Sequence, residues 1–266
     1  MPQKEAAYSR PYVAGRMPAP PIHGKIGAMR RRFFVEKFEG GRAVMREEAA
    51  HHVGRVLRAQ PGQLYELSDG TKVWLGRIET VTRDEVDFSL IEELAAARAG
   101  IRTALLLAVV KFDAFEWALE KATELGVEAI VPLAAARSEK ALLAAAAKRG
   151  ERWKKILLEA SQQSRRVAVP ELRTLAKPQA AFAGQQDGVR IFFSEAPEAT
   201  PLRETLPAEN AALVTLAIGP EGGWTEEERA AAIRVGFREA SLGNLILRTE
   251  TAVIAGLANI NFAFGG

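Results

Sequence analysis

From residue 101 onward, short apolar runs alternate with stretches whose apolar positions recur every three or four residues. Ala104 to Val110, Ala129 to Leu133, Val189 to Phe193, Leu213 to Ile218 and Glu239 to Leu242 read as strands. Between the first two, Asp113 is placed to cap a helix whose stripe is Phe115, Leu119, Ala122 and Leu125, closed by Gly126. A second stripe, Trp153, Ile156, Leu157 and Ala160, ends at Arg165-Arg166, where cations suit the helix dipole. Thr225 and Glu228 form a capping box, with Gly236 at the far end of that helix. This alternation predicts an α/β class: a mostly parallel sheet with helices on both faces.

The preceding part has a shorter rhythm. Phe33 to Phe38, Gln63 to Leu67, Val73 to Val81 and Val86 to Ile91 read as strands, with Asp69-Gly70 as a hairpin turn and a short helix over Arg46 to Leu57. Such strands suit a small barrel over 30–94. Glu92 to Gly100 reads as a linker into a second unit over 101–266. Residues 1–29 are proline-rich and show no apolar periodicity, so they read as a disordered extension lacking the apolar core of a signal peptide. The last helix, from about Thr249, is apolar nearly all round through Ala252, Val253, Ile254, Ala255, Leu257, Ala258 and Ile260. A sheet covers one side of it, so the other is expected to meet a second subunit in a homodimer.

Composition narrows the class. The chain is 48% hydrophobic and 26% charged, which provides ample core material, and no apolar run approaches the ~20 residues of a membrane helix. The absence of cysteine excludes disulfides, thiolate catalysis and cysteine zinc sites, in keeping with the cytoplasm. A formal charge of +3 permits an anionic partner without demanding one. Adjacent helical residues do not share a face, so His51 and His52 make no metal site, and none is expected.

Chemistry is expected in two glycine-bearing stretches, LVTLAIGPEGGW (Leu213 to Trp224) and ASLGNLILRTETAVIAGLANI (Ala240 to Ile260). Glycine lets backbone approach a ligand closely, and loops at the carboxyl ends of neighbouring strands are where an open α/β sheet binds small molecules. Neither loop has the spacing of the common dinucleotide or triphosphate motifs.

IGPEGGW followed by LGNLILRTETA closely resembles the bacterial 16S ribosomal RNA uracil-N3 methyltransferases. The resemblance continues in KFDAFEWALEKATELGVEAIVPL, RWKKILLEASQQSRR, RRFFVE and HHVGRVLRAQPG, covering roughly residues 30–264. It implies a trefoil-knotted α/β domain preceded by a PUA-like RNA-binding β-barrel. It also implies S-adenosylmethionine as cofactor and N3 of uridine 1498 of 16S ribosomal RNA in the small subunit as target. The cofactor residues implied are Ser194, Glu195 and Ala196; Ile218, Gly219, Glu221, Gly222 and Gly223; and Leu242, Gly243, Ile246, Leu247 and Arg248. Ile218, Leu242, Ile246 and Leu247 would sandwich the adenine.

The same motifs supply catalytic candidates. Arg248 would hold the uracil anion or an RNA phosphate, and Glu250 would accept the N3 proton or only favour the first helical turn. Arg30, Arg31, Arg32, Arg55, Arg58, Arg165 and Arg166 are the RNA candidates, since phosphate contacts are what arginine supplies. Three positions depart from the family pattern: Phe112 and Arg165 replace glycines, and Leu245 an arginine. A knotted methyltransferase acting on another RNA such as transfer RNA, and a non-catalytic ribosome-assembly protein, are the alternative readings.

Overall fold

The computed structural model describes residues 31–95, 100–185, 187–207 and 211–264. The extension and Arg30 lie outside them. The first part holds β1 (Arg32–Phe34), β2 (Arg42–Arg46), α1 (Glu47–His51), a π-helical turn (His52–Val56), β3 (Leu64–Ser68), β4 (Val73–Val81) and β5 (Glu85–Leu94). The strands lie in the order β1-β3-β4-β5-β2, so the barrel is a half-barrel with β1 and β2 at its two edges. Register shifts at Leu75/Gly76 and Ile78/Thr80 mark bulges, which bend a sheet. Inside, Phe33, Met45, Ala50, Val53, Leu67, Ile78, Val86 and Phe88 make a separate core.

Three features of this part differ from the expected ones by more than one residue. The first strand stops at Phe34. Residues 42–46 form a strand that escaped the reading, although their burial alternates as a strand's should. Glu92 to Leu94 belong to β5, paired with Leu75, Trp74 and Val73, rather than to a linker.

The second part holds β6 (Arg102–Ala108), α2 (Phe112–Glu124), β7 (Ala129–Leu133), α3 (Lys140–Ala146), α4 (Gly150–Gln163), β8 (Glu171–Leu172), α5 (Pro178–Ala183) and β9 (Val189–Phe193). It continues through β10 (Thr200–Pro201), α6 (Leu202–Thr205), β11 (Leu213–Ile218), α7 (Glu226–Arg234), β12 (Arg238–Ser241) and α8 (Thr249–Phe264). Its seven strands are all parallel, in the order β10-β12-β9-β11-β6-β7-β8. Successive residues of β6 go to opposite faces. Leu105 and Leu107 pack with Phe115, Leu119, Trp153, Val253 and Leu257, while Leu106 packs with Leu133, Phe182 and Ala232. The last strand, β12, is inserted between β9 and β10, which precede it in the chain.

Asp113 does not cap α2. The cap position is Lys111, with no side-chain bond, and Asp113 sits in the first turn. Arg165 and Arg166 lie beyond the end of α4. Arg165 has φ +55°, and Arg166 turns away to donate to the carbonyls of Thr123 and Ala168 at 2.8 and 3.1 Å. Helix α8 buries Val253, Leu257 and Ile260, while Phe262 is 92% exposed. The half-barrel meets the second part through hydrogen bonds from Arg32 Nη1 to the Arg165 carbonyl and from Ser68 Oγ to the Val167 carbonyl, both 2.6 Å.

Candidate active site

At the carboxyl ends of β9, β11 and β12 the loops 194–198, 219–225 and 242–248 surround a cavity of about 430 Å³. Its walls include every implied cofactor residue except Arg248. Parallel strands point their carboxyl ends the same way, so three loops distant in sequence converge without long connections. Leu245 and Ile246 are 82% and 81% exposed. Ile246 thus lines the cavity as an exposed apolar residue, beside the half-buried Leu242 and Leu247. Arg248 is exposed and Glu250 half-buried, and neither side chain lines the cavity.

The loops are fixed by side chains gripping backbone. Trp224 Nε1 donates to the Phe193 carbonyl at 3.0 Å, and its ring lies 4.8 Å from that of Phe192. Gly219 is required by this ring, because a Cβ there would sit 2.9 Å from Trp224. Thr249 Oγ1 donates to the Gly219 carbonyl at 3.0 Å, joining the start of α8 to the same loop. Gly223 adopts φ +69° and closes a turn onto the Pro220 carbonyl at 2.8 Å.

A fourth loop, 134–139 after β7, completes the wall. Arg137 Nη1 donates to the Gly222 carbonyl at 2.8 Å, and a Cβ on Gly222 would come 3.2 Å from Arg137 Cβ. Glu228, 2% exposed, takes the Thr225 N–H in the predicted capping box and also the Ala136 N–H at 2.8 Å. One carboxylate thus sets both a helix start and the loop bearing Arg137.

A second cation lines the cavity but is saturated. Arg229 donates to both oxygens of Glu239 and lies 3.4 Å from Glu226 and 3.7 Å from Glu198. Hydrogen bonds from Arg229 hold the Glu239 carboxyl below the usual carboxylate range against the effect of burial. The cluster joins the loop after β9, helix α7 and strand β12 at their roots.

The RNA candidates divide. Arg31, Arg55, Arg58 and Arg165 are exposed. Arg32 is not available to a phosphate: its guanidinium is 9% exposed, donates to Glu66 at 2.9 and 3.2 Å and supports the Arg165 carbonyl. Arg166 is committed to two backbone carbonyls, and burial pulls its guanidinium below the usual arginine range. His51 and His52 stand on the half-barrel, His51 Nε2 being 3.4 Å from Arg55 Nη1.

Sequence reasoning missed Trp224, Thr249 and Arg137 as parts of this site. Trp224 and Thr249 flank the glycine loops. Arg137 had one legible mark, a cation just past the carboxyl end of a strand.

Residues 98–261 match the model of an RNA methyltransferase domain, and residues 46–91 that of an RNA methyltransferase PUA domain. The chain is similar to Ribosomal RNA small subunit methyltransferase E of Synechocystis, 32% identical over 79% of this chain and 70% of that protein. It is 31% identical to the Bacillus subtilis protein of the same name, over 81% of this chain and 88% of that protein. Among solved structures, the Neisseria gonorrhoeae methyltransferase of this name, bound to S-adenosyl methionine, superposes with a TM-score of 0.81 at 27% identity, covering 89% of this chain and 99% of that one.

Proposed function

The chain belongs to the RNA methyltransferase family, and from that premise we propose that it uses S-adenosylmethionine to methylate ribosomal RNA of the small subunit, at N3 of uridine 1498 of 16S RNA. The observation that carries this reading is the single cavity formed by three loops, two of them glycine-bearing, at the carboxyl ends of β9, β11 and β12. Its volume lies in the range of ligand pockets, and its walls offer backbone N–H and C=O groups beside the buried Ile218. These residues fit the cofactor. Ser194 to Ala196, Ile218 to Gly223 and Leu242 to Leu247 would hold it, with Ile246 closing from the rim.

When bound, the cofactor supplies an electrophilic methyl group on a sulfonium. The chain's own contribution is alignment of that group with the base, and alignment can remove several kcal/mol of barrier, up to roughly 7–11. Glu250 and Arg248, at the start of α8 beside the site, are the proton acceptor and an RNA or anion contact in this reading. The half-barrel, over 30–94, presents Arg31, Arg55 and Arg58 to RNA and leaves 101–266 as the catalytic unit. Two copies pair through the exposed side of α8, where Phe262 stands in solvent. A ribosomal substrate implies work in the cytoplasm.

The test is mass spectrometry of ribosomal RNA from a strain lacking the gene, with and without the chain restored, beside a titration with labelled S-adenosylmethionine. Loss and return of N3-methyluridine at position 1498 is expected, with saturable cofactor binding. Methyl loss confined to transfer RNA would move the substrate, and cofactor binding without any missing methyl would leave an assembly protein.

A further inference from the structure

We infer that Arg137, on the loop after β7, is the cation that meets the methyl acceptor. The inference rests on the methyl-transfer reading above and adds to it a residue inside the cavity. Two cations line the cavity, Arg137 and Arg229, whereas Arg248 does not. Arg229 is surrounded by Glu198, Glu226 and Glu239. Arg137 has no carboxylate partner among the described residues. Among the described residues its hydrogen bond from Nη1 to the Gly222 carbonyl uses one of the five donors of a guanidinium. The remaining donors are left beside the cavity on an exposed side chain.

The loop is held from both sides of the arginine. The Ala136 N–H is fixed by the buried Glu228, and the Ser138 N–H closes a turn onto the Ala135 carbonyl at 3.0 Å. Gly222 permits the close approach, since any side chain there would press on Arg137 Cβ. A planar donor set pinned to a cofactor loop is preorganised, which is what stabilising a developing anion requires.

The chemistry specifies where that charge is needed. The uridine N3–H must give its proton to a base or water. The nitrogen lone pair then forms the new C–N bond, while the electron pair of the broken C–S bond stays on sulfur. As the proton leaves, negative charge spreads onto the two carbonyl oxygens beside N3. A guanidinium matches such oxygens with parallel N–H donors, and an ammonium does not.

The experiment is single-turnover methylation of small-subunit RNA by the full chain, with S-adenosylmethionine saturating, alongside calorimetric cofactor affinity. Arg137→Ala is expected to slow the transfer by about 10²- to 10³-fold, the cost of losing one preorganised donor to an oxyanion. Cofactor affinity should change by no more than a few fold, and the deficit should shrink as pH rises, because the imide then ionises without help. Arg137→Lys should recover part of the rate. A near wild-type rate in Arg137→Ala would overturn the assignment. So would a parallel fall in rate and cofactor affinity with no pH recovery, which would make Arg137 a brace for Gly222 alone. Failure of the unaltered protein to methylate would instead sink the methyl-transfer reading itself.

Discussion

The two sheets of this molecule treat polar side chains in opposite ways. In the parallel sheet, Trp224, Thr249, Arg137 and Glu228 each spend a hydrogen bond on the backbone of a loop at the carboxyl edge. In the half-barrel, Arg31, Arg55 and Arg58 stand in solvent. A small-molecule site needs backbone held in place before the ligand arrives, so polar groups there are paired with that backbone. A surface for a polyanion works by charge, and charge in water tolerates displacement and is screened by salt. Arginine is therefore mostly available on the half-barrel, whereas Arg229 at the sheet edge is saturated by carboxylates.

Arg32 breaks this division and gives the largest expected effect. It sits in the half-barrel, yet it is buried against Glu66 and bridges to the Arg165 carbonyl. Arg32→Ala leaves a carboxylate of 9% exposure without its main partner and should destabilise the fold by roughly 3–5 kcal/mol. Replacing both Arg32 and Glu66 by leucine should restore most of that loss, because no unpaired charge remains. Denaturant unfolding measures both. A stable Arg32→Ala protein with weakened RNA binding would return Arg32 to the RNA surface.

Gly219 sharpens the comparison on the other side. A methyl group at this position meets the Trp224 ring, which is itself tied to Phe193 and stacked near Phe192. Overpacking of this kind costs about 1–3 kcal/mol. Because the displaced ring shapes the cavity, Gly219→Ala should weaken cofactor binding by roughly 5- to 150-fold, at about 1.4 kcal/mol per tenfold. Calorimetric titration reads this directly, and RNA affinity of the chain should be unchanged. An unaltered affinity would mean that the ring can yield.

The parallel sheet was legible because its central strands are buried on both faces and helices α2 and α4 carry one apolar stripe each. Runs such as Val189 to Phe193 and Leu213 to Ile218 gave their own limits to the residue. Strand β2 was hidden because its alternation lies directly before a helix, and β8 and β10 are two residues long, too short for any period. The cavity was legible as glycine loops. Its fourth wall was not, since Arg137 acts through one long-range bond to Gly222 that no local pattern encodes. Arg32 and Arg166 were misread because a cation's burial depends on partners distant in sequence.

Arg165 gives the smallest effect and separates backbone from charge at one position. It stands where the related family has glycine, and its φ of +55° is the left-handed conformation that glycine adopts freely. Holding an L side chain there costs about 1 kcal/mol. Its ion pair with Glu66, at 3.8 Å on a side chain half exposed, is worth less than about 1 kcal/mol. Arg165→Gly should therefore raise stability slightly, with a melting temperature higher by up to ~2–4 °C for a chain of this size. The carbonyl that accepts Arg32 is kept in either case. If the arginine also touches RNA, the same variant should bind RNA more weakly, with the salt slope reduced by about 0.9 for one lost duplex phosphate contact. Stability and affinity would then move in opposite directions, which a merely structural residue cannot produce. Rising stability with an unchanged salt slope would remove Arg165 from the RNA surface, and falling stability would show that its pairing with Glu66 outweighs the backbone cost.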